Sequence, residues 1–161
     1  MITTFQLKGL KALGALVLIF STVSAHADGH IYKANKPASE KTLKLGEKWS
    51  TDEVARLGMD NIRQAVSVSQ GDIIQGKLNS QDYLAIADVV DRNVTDMVKK
   101  CKLSPDADKA FHIVVLVDLK GSVEFMRVSR NVQTQRVGAL AVLQTLRNYG
   151  KYFQHNGWSF N

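Results

Sequence analysis

HIVVLVDLKGSVEFMRV, residues 112–128, decides the fold of this chain because it supports two opposite assignments. It is rich in β-branched residues, and Asp118 to Ser122 offers a hairpin turn between two strands. Against that, Phe111, Val115, Leu119, Val123 and Met126 step by four and three residues, the spacing of one helical face. Just upstream, Ser104-Pro105 gives a cap followed by proline at the first helical position. Asp106 and Asp108 then put negative charge in the first turn, where the helix dipole favours it. The loop after Cys101 is also short, so the start signal and the step together predict helix over 105–128.

The flanking sequence follows the same period. Upstream, Asn79-Ser80 is a cap for a stripe made of Tyr83, Ile86, Ala87, Val90, Val94, Met97, Val98 and Cys101. Lys99, Lys100 and Lys102 lie in its last turn, at the negative end of the dipole. Further upstream, Ser50-Thr51-Asp52-Glu53 fits a capping box with the serine as cap. Val54, Leu57, Ile62, Ala65, Val66, Ile73 and Leu78 then fall near one helical face, although Gly71 and Gly76 weaken its far end. Downstream of a polar stretch, Ser129 to Thr134, a last pattern runs through Val137, Leu140, Leu143, Leu146 and Tyr149 or Gly150 to Phe153. Four amphipathic helices joined by short turns predict an all-α fold, an antiparallel four-helix bundle of up-down-up-down connectivity over residues 50–161.

What precedes the bundle predicts where it works. Lys8 and Lys11, an apolar run from Ala12 to Phe20, and Ala25-His26-Ala27 have the layout of a cleavable secretory signal, residues 1–27. The run is shorter than the roughly 20 residues that cross a bilayer, and no second transmembrane candidate follows. The expected location is the periplasm. Removing Lys8 and Lys11 from the 21 Lys and Arg leaves 19 against 15 Asp and Glu, a net of +4 on the mature chain. That mild charge and export together argue against nucleic acid as a partner. Residues 28–49 carry Lys33, Lys36, Lys41, Lys44 and Lys48 with little apolar period, and read as a flexible basic lead. Cys101 is the one cysteine, so no intramolecular disulfide forms; the thiol is buried, joined to a second chain in a dimer, or a ligand.

In the expected bundle, the starts of the first and third helices share an end with the finishes of the second and fourth. That places Met59, Met97, Cys101, His112 and His155 at one end, with Met59, Met97 and His112 near one layer. Thioether, thiolate and imidazole donors suit copper(I), and a Met and a His from different helices also form an axial pair for haem iron. On this expectation His155 folds back over the donors on the aromatic segment YFQHNGW, residues 152–158. The competing assignment of the same residues is packing: Met59 and Met97 as core filler, Cys101 inert, Phe153 and Trp158 as a plug.

Cleavage after Ala27 would expose Asp28-Gly29-His30, a terminal amine, two amides and an imidazole that form a square-planar set for copper(II) or nickel(II). Enzyme signatures are missing: the sequence has no nucleophile elbow, glycine-rich phosphate loop or HExxH. The chain is expected not to be an enzyme.

The set GM at 58–59, CKL at 101–103, FH at 111–112 and YGKYFQHNGW at 149–158 resembles a family of small exported proteobacterial proteins generally described as uncharacterised. The resemblance runs from Trp49 onward; it implies helix for 105–128 and supplies no activity. The expected architecture is also similar to the cytochrome b562 and cytochrome c-prime bundles, and Met59 with His155 is similar to the b562 pair of axial ligands. No CxxCH occurs, so covalent haem of the c type is excluded. The sequence therefore points to a periplasmic metal carrier, buffer or sensor holding copper. The alternatives are a non-catalytic structural or interaction module of the cell envelope with a protein partner and no metal, and a bundle holding haem b for electron transfer.

Overall fold

A computed structural model describes residues 46–161. The expected signal, Asp28-Gly29-His30 and most of the basic lead lie outside the described residues. Six α-helices occur among them: α1 Glu53–Ser67, α2 Gln70–Gln75, α3 Ser80–Lys100, α4 Pro105–Phe111, α5 Val117–Val128 and α6 Val132–Tyr152. A single π-helical turn, His112–Leu116, joins α4 to α5, so the ambiguous stretch is helical throughout. The fold is all-α, with no strand among the described residues beyond one isolated bridge between Trp49 and Phe153.

The ambiguous run is helical because its buried positions match. Phe111, Val115, Leu119, Val123 and Met126 all enter the core, whereas a strand that turned Val115, Leu119 and Val123 inward would also have turned in Ile113, Val117 and Phe125, which are exposed, and sent Met126 outward. The π turn inserts one extra residue, which lets Val115 and Leu116 both reach the core while His112 and Ile113 face solvent. Tertiary burial has overridden the β-branched composition, each buried Val or Leu contributing about 1.5–3 kcal/mol.

Local chemistry sets the ends of the other helices, with two corrections. The cap of α1 is Asp52, whose carboxylate accepts from the Ala55 amide at 2.7 Å; Ser50, the expected cap, lies outside the helix. The first helix also stops at Ser67 rather than continuing to Leu78. A turn at Val68-Ser69 starts α2, and Gly76 ends it at φ 69°, a left-handed conformation that glycine adopts without a Cβ penalty. Asn79 caps α3 in a reciprocal box with Asp82, and Asn131 caps α6.

Helix α1 packs on α3, α3 on α5, and α5 on α6, with α2 against α6. The core they enclose includes Met59, Ile62, Ile73, Tyr83, Met97, Phe111, Leu119, Met126, Leu143, Leu146, Tyr149 and Phe153. Leu57, Val98 and Val137, expected on core faces, are exposed; each stands one position off the face that Gly58, Met97 and Gly138 turn inward. Those glycines allow close packing. A Cβ on Gly138 would lie 2.7 Å from the Ser122 carbonyl oxygen, and one on Gly58 would lie 2.6 Å from the Met97 sulfur. No helix among the described residues is long and apolar enough to cross a membrane.

Candidate functional site

A cluster of polar and aromatic side chains forms where the segment just before α1 meets the segment after α6. The Trp49 amide donates to the Tyr152 carbonyl at 2.8 Å, and the Gln154 amide donates to the Trp49 carbonyl at 2.8 Å. Trp49, placed by sequence in the lead, thus belongs to the folded unit. Thr51 adds a hydroxyl bond to the Gln154 carbonyl, so the chain before α1 runs beside the chain after α6.

After this pairing the last residues turn back. Gly157 takes φ 77°, and the Trp158 amide donates to the His155 carbonyl at 3.1 Å. Trp158 then lands on α6, where Gly150 leaves it room: a Cβ there would stand 2.6 Å from the indole nitrogen. The Trp158 and Tyr149 rings meet edge to face at 4.7 Å, Tyr149 stacks on Phe153 at 5.4 Å, and Phe111 closes edge-on against both. The Arg63 guanidinium lies over Trp158 at 5.5 Å. YFQHNGW is a plug seated on Tyr149 and Phe111 and tied by backbone hydrogen bonds to Trp49.

His155 is the polar pin of the plug, its side chain only 7 % exposed. Its Nε2 lies 3.3 Å from Asp60 Oδ2 and its Nδ1 3.0 Å from the Tyr149 hydroxyl. A carboxylate only accepts, so the network assigns the proton of the neutral ring to Nε2, and the Tyr149 hydroxyl donates to Nδ1. Burial lowers the imidazole below its ordinary value. The Asp60 charge opposes that shift, while Arg56 and Arg63 add to it. Burial likewise drives the Tyr149 phenol upward, against Thr51 and Arg56.

Cys101 ends α3 half-buried beside Asp52. One Asp52 oxygen caps α1 and the other accepts from the Lys102 amide at 2.5 Å, tying the start of the first helix to the finish of α3. Burial first, then the charge and hydrogen bond of Asp52, push the Cys101 thiol up to about 12. It is a neutral thiol at physiological pH, and the thiolate is the form that ligates metal or attacks.

The five expected donors therefore have different surroundings. Met59 and Met97 are sealed in the core, the Met97 sulfur lying against Gly58. His112 is exposed on the π turn, His155 is held by Asp60 and Tyr149, and Cys101 faces Asp52. No three His, Cys, Asp or Glu side chains form a metal-holding group among the described residues. Asp60, Tyr149, Arg63 and Asp52 were not among the sequence candidates. The signal for Asp60 was the shared end of the first and last helices, which sets a carboxylate in the second turn of α1 opposite a histidine just past α6.

Two open polar hollows flank the plug. One of about 590 Å³ lies among Glu47, Lys48, Trp49, Ser104 and Asp106, and one of about 470 Å³ among Thr51, Arg56, His155 and Asn156. No family model matches the chain, and no curated protein or solved structure matches it either.

Proposed function

We propose that this chain is an exported, non-catalytic interaction module of the cell envelope, an up-down-up-down antiparallel four-helix bundle whose work is contact with another protein chain. The observation that supports the reading best is where large apolar side chains stay in solvent. Ile113, Val117, Phe125 and Val128 stand uncovered along the outer face of the π turn and α5, although the core behind them is complete.

The metal-carrier alternative loses support at the same time. Both nitrogens of His155 are engaged by protein groups, the Cys101 thiol is held protonated, and the two methionines have no surface through which an ion reaches them. Haem b in the axial style of Met59 and His155 would require opening the aromatic plug. The test is competition for copper(I) between the exported protein and a colorimetric chelator. The chelator is expected to keep its copper; transfer of one equivalent to the protein, lost in His155→Gln, would overturn the reading.

A further inference from the structure

The exposed row on α5 has a centre that the fold itself does not explain. From Ile113 to Val128 it extends roughly 20 Å at the helical rise, and exposure is 58 % at Ile113, 54 % at Val117, 53 % at Phe125 and 77 % at Val128. An apolar hollow of about 520 Å³ against Phe125, Val128 and Thr134 lies at its far end. Gly121 sits at the midpoint. A glycine inside a helix weakens it, so its presence calls for a packing reason. Gly58, Gly138 and Gly150 each have one, an atom within 3 Å of where a Cβ would stand, whereas a Cβ on Gly121 would meet nothing within 4 Å. Its bare backbone is an approach point for something outside the chain.

Charge selects the occupant. Lys120 and Glu124 border the row on the side that faces α3, the side from which Arg127 reaches Asp88 and Asp91. Neither Lys120 nor Glu124 has an ion-pair partner among the described residues. When two copies of α5 cross antiparallel about a two-fold axis at Gly121, this border meets its own copy. Val117 then comes level with Phe125 of the other chain, and Lys120 lies two residues, about 3 Å along the axis, from level with Glu124 of the other, within the reach of two long side chains. An isologous contact requires such self-complementarity.

Resting on the contact reading above, we propose that the partner is a second copy of this chain, docked antiparallel through the outer face of α5 with the two Gly121 backbones at the crossing. Sedimentation equilibrium of the whole exported chain, in reductant so that Cys101 cannot link copies, tests it. The expected result is a dimer in the micromolar range. Lys120→Glu and Glu124→Lys should each weaken it by roughly tenfold, and the double swap should restore it. Phe125→Glu should leave monomers of unchanged helicity. A monomeric wild type at the highest soluble concentration, or a dimer indifferent to both swaps, overturns the pairing. A monomer that takes no copper(I) sinks the pairing alone, whereas stoichiometric copper at the plug sinks the contact reading itself.

Discussion

His155 places its Nε2 3.3 Å from the carboxylate of Asp60, joining the segment beyond the last helix to the second turn of the first. The same imidazole takes the Tyr149 hydroxyl on its other nitrogen, so one ring fastens the plug both to α1 and to α6.

Acid should loosen this fastening. Burial sets the folded-state value of His155 below the 6.5 of the unfolded chain, so below 6.5 the unfolded state binds more protons than the folded one. The group's contribution is therefore intact above pH 6.5 and declines as pH falls beneath it. Urea unfolding followed by Trp fluorescence should give a midpoint that drops between pH 7 and 5 in the wild type and drops less in His155→Gln. A wild-type midpoint that rises on acidification would refute the assignment.

Cys101 should label slowly. With its thiol pushed up to about 12, a maleimide or disulfide reagent at pH 7.5 should react far more slowly than with an unfolded control. Asp52→Asn keeps a capping oxygen and removes the negative charge beside the thiol, so labelling should accelerate. Equal rates in wild type and variant would mean that accessibility, not Asp52, controls the thiol.

The helical glycines should divide by their neighbours. Gly138→Ala drives a Cβ to 2.7 Å from the Ser122 carbonyl, a backbone atom that moves only with α5. The expected cost is about 1–3 kcal/mol. Gly121→Ala meets nothing and should stabilise the monomer by up to about 1 kcal/mol through helix propensity. Thermal unfolding of both variants checks the contrast; similar destabilisation would contradict it.

Gly150→Ala should unseat Trp158, because a Cβ there would fall 2.6 Å from the indole nitrogen. The red shift expected in Trp emission is a signature of plug release that a general loss of helix does not mimic, provided circular dichroism stays unchanged. An unshifted spectrum would place the indole elsewhere.

Helix period and caps made most of this fold legible in sequence. All five core positions assigned around 112–128 are buried, and Asn79 caps the helix it was expected to start. The errors came where two local signals competed. Ser50 and Asp52 both fit a cap, and the carboxylate prevailed because its second oxygen also receives the Lys102 amide, a partner far away in sequence. Helical spacing placed Leu57 and Val137 only to within one position, and the close contacts at Gly58 and Gly138 rotated them outward.

At the candidate site, sequence brought the right ends together but not the right pairs. His155 does return over the end of the helices, yet it meets Asp60 and Tyr149, whose roles depend on side-chain direction rather than position along the helix. His112 faces solvent on the π turn, where the helical phase shifts.

The donors at the plug serve either the fold or an ion. The most direct measurement is elemental analysis of the untagged protein purified from the exporting cell, in a His30→Ala background so that an amino-terminal copper set is not counted. Copper, iron, nickel and zinc are all expected far below one per chain, even after copper is offered and the excess removed. One copper or iron per chain, lost in His155→Gln while helicity is kept, would contradict this expectation.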